Sequence, residues 1–215
     1  MESDPIGTLV WTWSAMKDEA SAAGEAAPFI LDRREAVPQL IGDPGDFLIV
    51  SGLAGTSKDM AALTGDAANL FTMAGTMGAA VSAGLGLALA QPERRVLVVT
   101  GDGELLMNLG ALATVAVAAP PNLAVVCVDN GHYGETGGQK SHTSLGVDLA
   151  AVAAGAGITA TRTVSVEDEI APASKLIRES NAPVFVVLRV RPGDPPAYKR
   201  NLDAAACRLR FRNAL

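Results

Sequence analysis

Short runs of continuous apolar residues alternate along this chain with longer stretches rich in alanine and leucine. Continuous hydrophobicity with many β-branched residues predicts strands that are buried on both faces. The predicted strands are 47–50, 95–100, 123–129, 158–161 and 184–190. Between them the pattern predicts helices at 58–63, 77–90, 105–118, 147–154 and 166–180. This alternation is typical of a doubly wound α/β fold, in which a mainly parallel sheet carries helices on both faces.

The two ends of the chain differ from this central region. Residues 1–32 are rich in alanine, glutamate and proline, and we expect an N-terminal extension that is partly helical or disordered. Residues 33–192 form the predicted α/β domain, and residues 193–215 form a linker and a short basic helix. A chain of 215 residues is long enough for one full core, but too short for the two or three domains of many cofactor enzymes.

Composition narrows the choice of partners. The net charge is −6 and no Lys/Arg cluster occurs, which argues against nucleic acid or an anionic membrane surface as a partner. Cys127 and Cys207 are too far apart in sequence for a CxxC metal pair and form no disulfide framework. The first residues are acidic where a signal peptide would be basic, and no apolar run reaches the roughly 18 residues of a membrane helix. We therefore expect a cytoplasmic protein.

Two polar motifs follow consecutive predicted strands. Gly-Asp-Gly follows the strand at 95–100, and Asp-Asn-Gly-His ends the strand at 123–129. Ligands of open parallel sheets bind at the carboxyl ends of strands, so Asp102 and Asn130 are expected to lie side by side. Their oxygens suit Mg²⁺, with the backbone carbonyl of His132 as a third ligand. The alternative is that both motifs are ordinary turns.

Glycine and hydroxyl residues beside these motifs suit a phosphate. Gly101 and Gly103 lack Cβ atoms, which allows close backbone approach as a helix begins at Glu104. In VSGLAGTSKDM, Thr56 and Ser57 are predicted at a helix N-terminus, where they either bind diphosphate oxygens or serve as a simple N-cap. The glycine spacing fits neither a P-loop nor a full dinucleotide fingerprint.

A polar, glycine-rich loop, NGHYGETGGQKSHTSLGVDL, lies directly beyond the predicted metal ligands. We expect it to form a lid over the bound ligand and to supply substrate contacts. His132 and His142, both histidines of the chain, fall within it, and His142 is a candidate proton donor or carboxylate anchor. For each loop residue the alternative is an ordinary solvated side chain.

The spacing of GDG, 26 residues and then Asn-Gly resembles the thiamine diphosphate signature, in which the pair holds Mg²⁺-diphosphate. The segment AGTMGAAVSAGLGLALA strengthens the resemblance. It implies that the Gly75 carbonyl accepts a hydrogen bond from the aminopyrimidine and that Met77 bends the cofactor, although Met77 could instead be core. The catalytic candidates are thus Gly75, Met77, His132 and His142. The implied cofactor contacts are Thr56, Ser57, Gly75, Thr76, Met77, Gly101, Asp102, Gly103, Glu104, Asn130, His132, Tyr133, Gly134, Glu135 and Thr136.

Over residues 33–192 the chain most resembles the diphosphate-binding half of the sulfopyruvate and phosphonopyruvate decarboxylases. That resemblance implies a subunit that acts on a small 2-oxo acid. It also implies a separate pyrimidine-binding α subunit, in a heterotetramer or a larger assembly. The apolar segment 75–90 and the pair Trp11 and Trp13 are candidate contact surfaces.

Three other functions remain under consideration. A 2-oxoacid:ferredoxin oxidoreductase β subunit is disfavoured, because two distant cysteines cannot ligate an iron–sulfur cluster. A heteromeric carboligase of the acetolactate synthase type shares the same diphosphate-binding half. A non-catalytic cofactor-binding protein would never meet a pyrimidine domain. The identity of the substrate, and the choice between protonation and carboligation, stay open.

Overall fold

A six-stranded parallel sheet forms the centre of the protein, in the strand order β2-β1-β3-β4-β8-β7. A computed structural model describes residues 28–73, 75–199 and 201–215. Helices cover both faces of the sheet, so the predicted doubly wound α/β class is confirmed. Trp11, Trp13 and most of the predicted N-terminal extension lie outside the described residues.

The strands and helices of the described residues have the following bounds. The sheet contains β1 (Leu48–Ser51), β2 (Leu70–Thr72), β3 (Val96–Gly101), β4 (Leu123–Asp129), β7 (Ala160–Val164) and β8 (Val184–Arg189). A separate antiparallel hairpin contains β5 (His132–Tyr133) and β6 (Gln139–Lys140). The α-helices are α1 (Arg33–Ile41), α2 (Gly55–Thr64), α3 (Ala80–Ala90), α4 (Asp102–Leu106), α5 (Gly110–Ala118), α6 (Leu149–Gly155), α7 (Ile170–Glu179) and α8 (Ala204–Arg212). Short 3₁₀ turns lie at Pro44–Asp46, Gly134–Thr136, His142–Leu145 and Glu167–Glu169.

Several predicted boundaries are wrong, and a tertiary contact explains two of them. The predicted helix 77–90 begins only at Ala80, because Gly78 adopts a positive φ of 76°. The predicted helix 105–118 divides into α4 and α5, and Asn108 at the break donates its side-chain N–H to the Gly78 carbonyl at 2.9 Å. This hydrogen bond therefore holds the turn at Gly78 and the break at Asn108 in place relative to each other. The position of the Gly78 turn matters because the segment directly before it borders the cavity described below.

Other differences have local causes. The strand predicted at 158–161 lies at 160–164, and the helix predicted at 166–180 begins as a 3₁₀ turn. The helix predicted at 147–154 starts at Leu149, because the Asp148 side chain accepts hydrogen bonds from the first-turn N–H groups. Strand β2 has only three residues, which is too short for a periodic signal. Helix α1 was missed because Pro38 interrupts its sequence pattern.

Each face of the sheet carries its own hydrophobic core. Successive strand side chains point to opposite faces, so Ile49 packs with α1, α2 and α7, while Leu48 and Val50 pack with α3, α5 and α6. Strand β4 is buried along its whole length, as its continuous hydrophobicity predicts. Burial on both faces leaves the carboxyl edge of the sheet as the place where polar residues meet solvent.

The chain after β8 crosses this carboxyl edge before it ends. It then forms α8, where a short basic helix was predicted, and α8 packs beside the edge strand β2. The rings of Phe71 and Phe211 lie 5.6 Å apart, and Arg210 pairs with Asp66. The described residues of the crossing segment, 191–199 and 201–203, are called the C-terminal strap below.

We predict that Asn122→Ala lowers the free energy of unfolding by about 1–3 kcal/mol, measured by urea denaturation. The buried Asn122 amide donates to the carbonyls of Ala88, Gln91 and Arg94 at 3.1, 3.0 and 2.9 Å, and it joins the end of α3 to the start of β3. The matched control is Asn213→Ala, at an exposed position, with an expected change below about 0.5 kcal/mol. Equal effects of the two substitutions would show that water replaces the Asn122 contacts.

Candidate functional site

A cavity of about 290 Å³ lies at the carboxyl ends of β1, β3 and β4. The connection from β1 leads to β2 on one side, and that from β3 leads to β4 on the other, so the cavity marks the topological switch point of the sheet. Its lining includes twelve residues predicted to bind cofactor: Thr56, Met77, Gly101, Asp102, Gly103, Glu104, Asn130, His132, Tyr133, Gly134, Glu135 and Thr136. Four predicted residues do not line it: Ser57, Gly75, Thr76 and His142.

Asp102 lies where β3 passes directly into α4. The helix begins at Asp102 itself, two residues earlier than the predicted start at Glu104. The carboxylate is buried, and its Oδ2 accepts a hydrogen bond from Ser141 Oγ at 2.5 Å. Burial raises the pKa of Asp102, and the hydrogen bonds from Ser141 and nearby backbone N–H groups oppose that rise. A neighbouring cation would stabilise the ionised form.

Asn130 follows β4 on the neighbouring strand. Because β3 and β4 pair in parallel with Gly101 opposite Val128, the Asp102 and Asn130 positions share one edge. The Asn130 Oδ1 accepts the His132 backbone N–H at 3.0 Å and keeps a second lone pair for a ligand. The His132 ring turns back to the Asn130 carbonyl, 2.9 Å from Nδ1.

A second buried carboxylate, Asp129, lies beside Asp102. It accepts Thr143 Oγ1–H at 2.7 Å and the Gly131 N–H at 3.0 Å, and it pairs with buried Arg189 at 3.7 Å. Burial and the charge of Asp102 raise the pKa of Asp129 to about 6. Burial, together with these carboxylates, also raises the pKa of the Cys127 thiol.

Glu104 joins the ends of β1 and β3. Its Oε2 accepts the Leu53 N–H at 3.1 Å and the Thr100 hydroxyl at 3.0 Å. A Cβ on Gly52 would lie 1.7 Å from Oε2, so the carboxylate occupies space that only glycine leaves free. Its buried Oε1 has no hydrogen-bond partner among the described residues. Burial raises the pKa of Glu104.

The donor set fits a hard divalent cation that takes further ligands from phosphate. Asp102, Glu104 and Asp129 place three buried carboxylates at this edge, and Arg189 is a buried cation that pairs with one of them. Within residues 28–73, 75–199 and 201–215, no cluster of three or more His, Cys, Asp or Glu side chains could hold a metal. One carboxylate, one amide oxygen and one carbonyl suit Mg²⁺, which keeps few protein ligands.

The N-terminus of α2 faces the cavity without a side-chain cap. Its N-cap, Ala54, adopts φ +62°, a strained conformation for a residue with a Cβ. The Thr56 and Ser57 hydroxyls donate to the carbonyls three residues earlier, at 3.0 and 2.8 Å. Thr56 lines the cavity and Ser57 does not, and neither hydroxyl acts as the simple N-cap, because each donates to a carbonyl and the N-cap is Ala54.

Two cations beside this helix were missed by sequence reasoning. Arg33 and Lys58 both line the cavity. Arg33 is buried against Asp59, with 2.5 Å between Nη2 and Oδ2, and it lies so close to Gly55 that a Cβ there would be 2.7 Å away. The charged run DRRE was a possible signal for Arg33, but only the tertiary fold brings it to α2.

The segment before α3 presents an apolar side chain to the cavity. Met77 is 53% exposed and lines the cavity, so it is not part of the core of this chain. Gly75, with φ +82°, and Thr76 are exposed just before it. Met107, which is also half exposed, lies on the same rim.

The predicted lid loop is a short hairpin closed over the GDG turn. The Tyr133 ring covers Gly103 so closely that a Cβ there would lie 2.6 Å from Tyr133 Cδ1. The Tyr133 hydroxyl lies 3.1 Å from His142 Nδ1, which holds His142 outside the cavity lining. The C-terminal strap also contributes Gly193, Asp194 and Pro195 to the lining, although these residues were predicted as a plain linker.

Comparisons with known proteins agree with this geometry. The model of the thiamine pyrophosphate enzyme C-terminal TPP-binding domain matches residues 54–188. The sulfopyruvate decarboxylase subunit beta of Methanothermobacter thermautotrophicus is 38% identical over 182 residues, which are 85% of this chain and 94% of that protein. The phosphonopyruvate decarboxylase of Streptomyces viridochromogenes is 41% identical over 84% of this chain and 45% of its own length.

A solved structure shares the fold. It is the thiamine diphosphate-dependent 4-hydroxybenzoylformate decarboxylase of Rhodococcus jostii RHA1, with a TM-score of 0.66 and 22% identity over 79% of this chain and 34% of that one. The chain therefore belongs to the thiamine pyrophosphate enzyme family and carries its C-terminal cofactor-binding domain. The resemblance found in the sequence is confirmed. Among the described residues, no helix has the length and apolar character needed to cross a membrane.

We predict that the metal-free protein loses stability, relative to Asp129→Asn, as pH rises from about 4 to about 7. The pKa of Asp129 rises from 3.8 to about 6 on folding, so the folded state binds more protons than the unfolded state in this window. This contribution is full below pH 3.8 and is lost as pH rises through about 6. Urea denaturation of both proteins across the window measures it.

The matched control is Asp168→Asn, at an exposed position in a 3₁₀ turn, which should not reproduce that pH dependence. The free energy of unfolding of wild type minus that of Asp129→Asn should therefore decrease as pH rises. A value that stays constant or increases with pH would contradict the prediction.

Proposed function

We propose that this chain is the diphosphate- and Mg²⁺-binding subunit of a thiamine diphosphate-dependent enzyme that decarboxylates a small 2-oxo acid. The observation that carries the proposal is the placement of Asp102 and Asn130 on adjacent strand ends, at the mouth of one cavity. The relatives reported above, named as sulfopyruvate and phosphonopyruvate decarboxylases, support the reaction class. A cytoplasmic location remains part of the same proposal.

The chain's own residues would bind and orient the cofactor. Asp102, the Asn130 amide and the His132 carbonyl would hold Mg²⁺, and the open N–H groups at the start of α2 would face the diphosphate. The exposed Met77 would support the bent cofactor, with the Gly75 carbonyl as a hydrogen-bond acceptor. Thiamine diphosphate, when bound, supplies the electron sink for loss of CO₂.

Residues around the cavity would set its electrostatics and exclude water. Lys58 of α2 would add positive charge where the diphosphate is expected, whereas the charge of Arg33 is paired with Asp59. Tyr133 and the strap residue Pro195 both line the cavity and would limit the access of water. The Tyr133–His142 contact provides a proton-carrying pair at the lid, which suits His142 as a proton donor that reaches the cavity through Tyr133.

We predict that Asp102→Ala weakens binding of thiamine diphosphate with Mg²⁺ by more than about 100-fold, because outer-shell changes alone cost about 10–100-fold. Isothermal titration measures this for the full chain, alone and with its pyrimidine-binding partner. The control is Asp168→Ala, which removes an exposed carboxylate from a distant 3₁₀ turn and should bind as wild type does. Absence of wild-type binding in both states would reject the cofactor assignment. If wild type binds the cofactor, a comparison of CO₂ release from sulfopyruvate, phosphonopyruvate and pyruvate would identify the substrate.

An uncharged face supports a partner subunit. No charged residue occurs in 67–92 or 105–128, and α3 and α5 from these segments pack side by side. Their outward side chains include Leu89, 57% exposed, and Val117, 88% exposed. We define the α3–α5 face by its exposed residues Ser82, Gly86, Leu89, Thr114 and Val117.

The pyrimidine-binding subunit is the proposed occupant of the α3–α5 face. Met77 and Met107 are half exposed on the cavity rim, and each lies three residues before the start of α3 or α5, so a partner that covers the face would also reach the rim. An assembly of two such subunits with two partners would bury the apolar surface that this chain leaves exposed.

We predict that Val117→Glu weakens assembly with the partner by more than about 100-fold, because a buried unpaired charge is costly. Light scattering after size-exclusion chromatography measures the assembly. The control, Ala171→Glu, places the same charge at an exposed position of α7 on the opposite side of the sheet, and assembly should be unaffected. Normal assembly of Val117→Glu would show that the interface does not include this part of the α3–α5 face.

A further inference from the structure

The loop that leads into α3 carries the half-exposed Met77 at the cavity. Residues 75–79 of this loop, called the rim segment, follow β2 and end where α3 begins at Ala80. Gly75, Thr76 and Met77 are exposed, whereas Gly78 is buried. Because 53% of Met77 is exposed, packing of its own side chain restrains it little. The position of Met77 therefore depends on how the backbone at Gly78 is held.

Gly78 is held against the break between α4 and α5. The Asn108 side-chain N–H donates to the Gly78 carbonyl at 2.9 Å. The packing around this bond is close, since a Cβ on Gly78 would lie 2.9 Å from Asn108 Cβ and 3.5 Å from the Glu104 carbonyl oxygen. Gly78 also has φ +76°, which residues with a Cβ rarely adopt. Glycine is therefore the residue type that this contact requires.

Asn108 is itself fixed at the junction of two helices. Its backbone N–H donates to the Leu105 carbonyl at 3.0 Å, and its carbonyl accepts the Ala111 N–H at 3.2 Å. Helix α4 starts at Asp102, directly after β3, so this junction is anchored to the buried sheet. Among the described residues, no other side chain is hydrogen-bonded to the rim segment. Asn108 thus links the rim segment to a rigid part of the fold.

This link controls a residue that is expected to contact the cofactor. Met77 directly precedes Gly78 and lines the cavity, as does Met107, which directly precedes Asn108. We propose that Asn108 is a positioning residue, which holds the rim segment where Met77 supports the bent form of the cofactor. Asn108 acts through Gly78 in this role. The inference rests on the proposed function, because the role of Met77 belongs to that proposal.

Loss of the link has a specific chemical consequence. In the bent cofactor the amino group of the pyrimidine, in its imino form, lies next to the C2–H of the thiazolium ring and can remove that proton intramolecularly. Intramolecular steps depend steeply on geometry, and a misplacement of about 1 Å can cost about 100-fold in rate. A displaced Met77 should therefore slow proton exchange at C2.

The first test is the backbone motion of the rim segment in the cofactor-free full chain, measured by ¹⁵N NMR relaxation. The order parameters of Met77 and Gly78 should be about 0.85 in wild type and should fall below about 0.6 in Asn108→Ala. The matched control is Asn69→Ala, which removes an amide that donates to two backbone carbonyls, at 2.8 and 2.9 Å, at the amino end of the sheet. This control should leave both order parameters at their wild-type values.

The second test is the exchange of the C2 proton of bound thiamine diphosphate with deuterium, measured in the assembly with the pyrimidine-binding partner. Asn108→Ala should slow this exchange by about 10–100-fold, and Asn69→Ala should leave it unchanged. A structural role of Asn108 alone would lower stability without this change in the exchange rate.

Gly78→Ala provides a second variant at the other end of the same bond. Its new Cβ would meet Asn108 Cβ, so the rim segment should be displaced and the C2 exchange should slow to a similar extent. Normal C2 exchange in both variants would overturn the inference.

The two tests separate the inference from the proposed function. Unchanged order parameters in Asn108→Ala, or a rim segment that is already mobile in wild type, overturn the inference. Absence of cofactor binding by wild type, with and without the partner, rejects the proposed function itself. The relaxation result would still show whether Asn108 holds the rim segment.

Discussion

Parallel pairing of β3 with β4 is the interaction on which the candidate site depends. It sets Gly101 opposite Val128, so the polar residues that follow each strand emerge at one edge of the sheet. Both strands are buried on both faces, and a shift in their register would expose apolar side chains. Core packing therefore determines the separation of Asp102 and Asn130, and the loops complete a geometry that is already fixed.

The same pairing concentrates negative charge. Three carboxylates are buried close together at the end of the sheet, those of Asp102, Asp129 and Glu104. Their raised pKa values reflect the free-energy cost of burying the ionised groups. Arg189 and the hydroxyls of the hairpin offset part of it. A divalent cation would offset the remaining cost of burying these carboxylates. The cation that the cofactor requires would therefore also stabilise the fold.

The sequence predicted the sheet because its strands are continuous apolar runs, and it predicted the edge because GDG and DNG directly follow two of them. Features that depend on contacts between residues far apart in the sequence were not predicted. The break at Asn108 arises from a bond to Gly78, and Arg33 reaches α2 only in the folded chain. Ser141 and Thr143 lie in a loop rich in polar residues, where nothing local distinguishes a buried hydroxyl from a solvated one. For the same reason His142 was linked to the cavity directly, although it contacts Tyr133 instead.

The C-terminal strap bears on how the protein folds. It leaves β8, passes the cavity at Gly193, Asp194 and Pro195, and ends in α8 beside β2, on the far side of β1, β3 and β4. Contacts such as the Asn201 N–H to Asp66 join residues 135 positions apart. Such non-local contacts close large loops, whose closure entropy must be offset by the contacts that they form. We therefore expect α8 to dock late in folding, so that the cofactor cavity would gain its strap wall only near the end of the process.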